Sequence, residues 1–189
     1  MNGYQTEIDR MNLSPGTMLV ATPKLNGDIF DRTVIYLWEY SFKSGAKGTV
    51  LNKSSGTSIY ELTERMDYNP TISLDSEQLF HGGPVAERSI TMLHTPGWYS
   101  ANTKVIQDQV AISSDTVMIE KITQGNSPDS WRMFAGRAEW QPGQLEKEID
   151  KNYWLTMPGV PDLIWLGSED SQWAAALDAC SQHAVESWF

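Results

Sequence analysis

Trp131-Arg132-Met133-Phe134-Ala135-Gly136-Arg137-Ala138-Glu139-Trp140-Gln141-Pro142-Gly143-Gln144-Leu145-Glu146-Lys147-Glu148-Ile149-Asp150-Lys151-Asn152-Tyr153-Trp154-Leu155 reads as an apolar strand, over residues 131–135, feeding an amphipathic helix. Pro142 suits a first helical position, where its missing N–H would have no intrahelical partner and its φ is already near helical. Gly143 beside it leaves backbone N–H groups open to approach. Leu145 and Ile149 share one face while Glu146, Glu148 and Asp150 lie off it, so the apolar stripe pins the helix and leaves its start free. Such an end is either a plain structural helix start or a place where Gly143 and Gln144 meet an anion or a partner carbonyl.

Working outward, residues 17–21, 33–40, 46–51 and 78–80 read as strands. Thr33-Val34-Ile35-Tyr36-Leu37-Trp38 is apolar without alternation, the pattern of a central strand covered on both faces. The short polar stretch 41–45 ends in glycine and reads as a hairpin turn. Residues 57–66 predict a helix with Ile59, Leu62 and Met66 on one face and a capping box from Ser58 to Glu61. Strand signals return at 90–93 and 110–112, and a helix is expected over 114–122, stopped by Gly-Asn-Ser-Pro at 125–128. Residues 163–166 read as a further strand, followed by a last helix capped by Ser168 and carrying Ala174-Ala175-Ala176. Residues 67–77, with Pro70 near the centre, read as a flexible excursion. Strands and helices intermix without a βαβ rhythm, which points to α+β and to a single domain over residues 1–189, with 1–12 as an N-terminal extension.

The 189 residues suffice for one sizeable core, and 40% apolar content is ordinary for a soluble globular protein. No run reaches the ~18 apolar residues of a membrane helix, and the start carries no secretory h-region, so a cytoplasmic protein without membrane contact is expected. Cys180 stands alone in a helical apolar pattern with Trp173, Leu177 and Ala184, where a small buried hydrophobe is the better reading than a nucleophile. The net charge is −10, with −7 of it after residue 110. An acidic chain without a basic run is a poor direct reader of nucleic acid, so a protein partner is expected instead. Trp38, Trp165 and Trp173 read as core, while Trp98 and Tyr99, after Pro96-Gly97, are the aromatics expected at the surface.

Few residues offer chemistry. His81, His94 and His183 lack zinc-site spacing, and no phosphate loop, dinucleotide fingerprint or nucleophile elbow occurs, so no metal, no cofactor and no catalytic residue is assigned. One constellation remains: His81-Gly82-Gly83-Pro84, directly after a strand end. Its glycines permit positive φ or close approach of another chain, and Pro84 sets the exit direction. The loop is a tight turn or a binding loop; Arg32 and Arg88 are the cations for an anionic group near it, unless they pair with Asp28, Asp31 or Glu87.

Five ordered blocks resemble the AlgH/YqgE family of small bacterial proteins. They are Leu13-Ser14-Pro15-Gly16-Thr17-Met18-Leu19-Val20-Ala21-Thr22-Pro23, Phe30-Asp31-Arg32-Thr33-Val34-Ile35-Tyr36-Leu37, Gly45-Ala46-Lys47-Gly48-Thr49-Val50-Leu51-Asn52, Phe80-His81-Gly82-Gly83-Pro84-Val85 and Trp140-Gln141-Pro142-Gly143-Gln144-Leu145-Glu146. The resemblance spans about residues 13–166. It implies a compact α+β fold with a bifurcated, partly barrel-like mixed sheet flanked by helices, no established reaction or cofactor, and, in one branch, a role in transcriptional control of exopolysaccharide synthesis. The chain departs from the family pattern at Asn26-Gly27-Asp28-Ile29-Phe30, which lacks a proline, at Asn52-Lys53-Ser54, and at Arg137, Glu139 and Gln141, where small or aromatic residues are usual.

These readings favour a non-enzymatic regulatory or adaptor protein working through protein–protein contacts, with Arg32, His81, Gly82, Gly83, Pro84, Arg88, Gly143 and Gln144 as partner-binding candidates. The alternatives are an enzyme with His81 as general base and Arg32 or Arg88 as anion clamp, and a nucleic-acid-associated protein.

Overall fold

The structure, a computed structural model, describes residues 13–166 and 169–186. In chain order it contains β1 (Thr17–Ala21), β2 (Val34–Ser41), β3 (Gly45–Val50), β4 (Ser54–Ser58), α1 (Ile59–Arg65), β5 (Gln78–His81), β6 (Val85–His94), β7 (Lys104–Ile106), β8 (Val110–Ser113), α2 (Thr116–Thr123), β9 (Trp131–Trp140), α3 (Gln144–Asp150), β10 (Trp154–Pro158), α4 (Pro161–Ile164) and α5 (Glu169–Glu186). These form two compact units: the described residues up to Asn52 together with those from Glu139 onward, and Lys53–Ala138. The class is α+β.

In the first unit the strands run β10-β1-β2-β3, all antiparallel. The unbroken apolar run of β2 makes it an inner strand, and Val34, Ile35, Tyr36 and Leu37 are buried as expected. Its partner β3 follows through the turn at 41–45, closed by the Ser44 N–H on the Ser41 carbonyl at 3.2 Å. Gly45 ends that turn at φ 87°, and a side chain there would fall onto the Trp140 carbonyl. Helix α5 packs against β1, β2 and β10, and α3 against β3 and β10.

The second unit orders its strands β4-β5-β9-β6-β8-β7, with β5 and β9 parallel and the other ladders antiparallel, which makes the sheet mixed. Its core gathers Ile59 of α1, Leu74, Leu79 of β5, Met92 of β6, Met118, Ile119 and Ile122 of α2, and Met133 of β9. Helix α1 begins with the expected capping box: the Glu61 N–H donates to Ser58 Oγ, and the Ser58 N–H to Glu61 Oε2, both at 3.1 Å. Thr57 and Ser58, however, belong to β4.

Three further differences from the sequence reading have local causes. Residues 163–166 are not a strand. Pro161 occupies a first-turn position with its φ preset for helix and starts α4 instead, so Leu163 and Ile164 are helical. Strands β4, β7 and β10 have weak local signals: each is at most five residues long, and β4 is made of serine, threonine and glycine alone. Residues 67–77 carry neither helix nor strand, but Leu74 is buried and the Thr71 N–H donates to the Thr123 carbonyl at 2.8 Å. The Ser168 cap and the 1–12 extension lie outside the described residues. Among the described residues no helix is long and apolar enough to cross a membrane.

Candidate functional site

The His81–Pro84 loop is built by backbone contact. The His81 N–H donates to the Lys53 carbonyl at 2.7 Å, and the Gly82 N–H to the Ala135 carbonyl at 2.8 Å. Gly82 is buried, and a Cβ there would fall on the Gly136 carbonyl; one at Gly83, φ 143°, would fall on the Arg137–Ala138 peptide. Gly136, φ 74°, meets the Gly83 carbonyl in return. The paired glycines thus let the loop lie main chain to main chain against β9.

Beyond Pro84 the ladder breaks. Val85 stands opposite Arg137 and Ile90 opposite Ala135, so four residues of β6, Ala86–Ser89, face the single Gly136 of β9. They form an exposed arch, with Ala86 at φ 51°, a region that side chains with a Cβ seldom occupy. Pro84, Ala86, Glu87, Arg88 and Ser89 line an open concavity of about 510 Å³. His81 is exposed. The structure therefore brings Pro84 and Arg88 together at one surface, with His81, Gly82 and Gly83 on the segment leading into it.

Arg32, Gly143 and Gln144 belong to the first unit. Arg32 is held at φ 51°: its carbonyl accepts from Asn52 Nδ2 at 2.8 Å, while Asn52 Oδ1 accepts the Val34 N–H at 2.9 Å. Its guanidinium does not pair with Asp28 or Asp31, whose carboxylates cap the N–H groups of Phe30 and Gly27. It lies 3.5 Å from the Asp170 carboxylate and 5.7 Å from the centre of the Trp173 ring.

Pro142 precedes the helix rather than starting it. Gly143 sits at φ 75°, ψ 0°, and the Gln144 N–H bonds the Gln141 carbonyl at 2.9 Å, so Gln141–Gln144 is a type II turn with proline and glycine at its two centres. Gln144 opens α3, and its own side chain occupies that end: Oε1 accepts the Gln141 N–H, and Nε2 donates to Glu148 Oε1.

Two of the three acidic residues of α3, Glu146 and Glu148, face inward against expectation, while Asp150 is exposed. Glu146 is 8% exposed and accepts the Tyr40 hydroxyl at 2.7 Å; burial and then that hydrogen bond push the Tyr40 phenol well above its usual range. Glu148 Oε2 accepts both the Trp140 and Trp154 indole N–H groups, at 2.9 and 2.8 Å. Buried indoles need an acceptor, and this was the available sequence signal for Glu148. Asn52, which holds the Arg32 backbone, and His94, which is fully buried, were also missed as structural determinants. Trp38, Trp165 and Trp173 are half-buried rather than core, while Tyr99 is 58% exposed and Trp98 half-buried. Cys180 is buried, and that burial pushes its thiol up to about 11.

The AlgH-like family model matches residues 18–184. The chain belongs to the AlgH-like family. Among curated relatives, a UPF0301 protein of Marinomonas sp. (strain MWYL1) is 37% identical over 161 residues, covering 84% of each chain. The solution structure of the AlgH protein from Pseudomonas aeruginosa matches with a TM-score of 0.74 and 31% identity over 88% of this chain and 90% of that one. A crystal structure of a Corynebacterium diphtheriae protein matches with a TM-score of 0.72 and 25% identity, covering 87% and 86%. Membership in the AlgH-like family accounts for the five sequence blocks and for the α+β class.

Proposed function

We propose that this AlgH-like chain is a cytoplasmic regulatory or adaptor protein that works through protein–protein contacts and catalyses no reaction of its own. The observation that carries this reading is the Ala86–Ser89 arch. Small-molecule sites are enclosed and mostly apolar, whereas this concavity is open and rimmed by Glu87, Arg88 and Ser89. A strained Ala86 held out of the ladder is the kind of feature that functional surfaces retain. The net charge of −10 supports a protein partner over nucleic acid. The family resemblance makes transcriptional control the first process to examine.

The test is affinity capture of the tagged chain and of its Arg88→Glu variant from native lysate, with and without nuclease. A stoichiometric, nuclease-resistant protein lost from the variant is the expected result. Recovery of the chain alone, or of nucleic acid that nuclease removes, would overturn the proposal.

A further inference from the structure

His94 at the end of β6 is fully buried, and its ring packs edge-on to Trp98 with centroids 5.1 Å apart. From it a row of hydroxyls leads towards the start of α2. His94 Nε2 lies 3.0 Å from Ser113 Oγ, Ser113 Oγ lies 2.7 Å from Thr103 Oγ1, Thr103 Oγ1 lies 3.2 Å from Ser100 Oγ, and Ser100 Oγ lies 2.6 Å from Asp115 Oδ2. Asp115 is the N-cap of α2, its Oδ1 accepting the Met118 N–H at 2.9 Å.

The proton of every hydroxyl can be assigned. His94 Nδ1 faces the Thr95 carbonyl at 2.9 Å, an acceptor only, so Nδ1 carries the hydrogen and Nε2 of the neutral ring accepts. Ser113 must then donate to His94, and Thr103 to Ser113. Ser100 donates to the ionised Asp115. The contact between the Thr103 and Ser100 hydroxyls is left without a hydrogen and is the longest of the row, while the Ser100 N–H donates to Thr103 Oγ1 at 2.7 Å in either state. In the neutral state the row is broken there.

A proton on Nε2 reverses the first donor. Ser113, 1% exposed, then accepts from the imidazolium and turns its own proton to Thr103; Thr103 turns to Ser100, and Ser100 still donates to Asp115. Each oxygen keeps a partner, no bond between heavy atoms changes, and the dipoles now point from cation to carboxylate. We propose that this hydroxyl row is a two-state switch that carries the protonation state of buried His94 to Ser100, which, once it accepts from Thr103, donates more strongly to the Asp115 cap of α2.

Burial makes the neutral ring the resting form, so the switch throws on acidification. Two charged groups connect to it: Asp115 through Ser100, and Lys121 of α2, which lies 5.3 Å from the centre of the Trp98 ring and donates to the Tyr99 carbonyl at 2.6 Å. Further charges on adjoining segments are Lys104, opposite Ile112 on β7, Asp108 between β7 and β8, Glu120 on α2, Arg132, opposite Leu93 on β9, and Asp129 beside Ser130.

The experiment is an NMR titration of the full chain that follows the His94 ring together with the Ser100 and Met118 amides. The expected result is an Nδ1–H tautomer at neutral pH and both amides shifting with the His94 midpoint, apart from the more acidic titration of Asp115 itself. Thr103→Val cuts the row; it should weaken proton uptake by His94 about tenfold, lowering the midpoint by about one pH unit, and uncouple the Met118 amide. Thr103→Ser should behave as the parent. If Thr103→Val does not fold, Ser100→Ala interrupts the row nearer the surface and should uncouple Met118 likewise. Amides indifferent to His94, or a His94 midpoint unmoved by either cut, would overturn the proposal.

Discussion

Replacing Glu148 by alanine should be among the most damaging single changes in the first unit, although a carboxylate on a short helix looks dispensable. Its Oε2 is the acceptor for two indole N–H groups, on Trp140 and Trp154, which are 4% and 2% exposed. Phe30 packs on both rings, 6.5 Å from one and 5.6 Å from the other between centroids, and the two indoles meet edge to face at 6.1 Å. Leaving a buried donor unpaired costs about 1–3 kcal/mol, so two such donors set a range of about 2–6 kcal/mol. Glu148 itself is half-buried, and water entering the vacated volume recovers part of this, which gives about 3 kcal/mol for Glu148→Ala. Glu148→Gln keeps a carbonyl oxygen able to accept both indoles and should cost about 1 kcal/mol. Urea unfolding followed by tryptophan fluorescence reads these values. In a Trp154→Phe background one donor is gone, and the cost of Glu148→Ala should fall by about a third to a half. A cost below about 0.5 kcal/mol, or one unchanged by Trp154→Phe, would refute the claim that the indoles pin α3 through Glu148.

Gly83→Ala places a Cβ against the Arg137–Ala138 peptide, and main chain cannot swing aside as a side-chain tip can; a loss of about 3 kcal/mol is expected, seen as a lower melting temperature and a lower soluble yield. Stability should also fall as pH drops below about 6.5, because burial lowers the His94 pKa, outweighing the Thr95 carbonyl that raises it. The unfolded chain then takes up a proton that the folded chain resists. The contribution is complete above the unfolded value and is lost as pH falls through the window down to the folded one, and a pH series of melts should show His94→Gln removing that slope.

The elements legible in the sequence are those whose signal is local. Ser58 and Glu61 specify a cap that needs no other part of the chain, and the unbroken Thr33–Trp38 run announced an inner strand because alternation is absent only when both faces are covered. Residues 163–166 were misread for the same reason in reverse. A four-residue apolar run carries no period, so Pro161, two residues before it, decides the conformation. Gly82 and Gly83 were legible as a special turn, but their reason, the close approach of Gly136, lies more than fifty residues away.

The site was harder to read than the fold because its polar residues are defined by partners that periodicity does not register. Glu146 and Glu148 fall outside the apolar stripe of α3 and count as solvent-facing on a helical wheel, yet both accept hydrogen bonds from aromatic side chains that need acceptors. Three N–H or O–H donors on aromatic rings, from Tyr40, Trp140 and Trp154, create a demand that two glutamates two residues apart meet. The same reasoning applies to His94: its sequence offered no zinc-site spacing and no role, whereas Ser113, the last residue of the paired strand β8, makes it a hydrogen-bonded core residue. Counting donors against acceptors along the chain is therefore the sequence-level step that finds such residues, and it separates Glu148 and His94, whose partners are buried, from Glu87 and Arg88, whose side chains stand at the open arch and are free to meet another molecule.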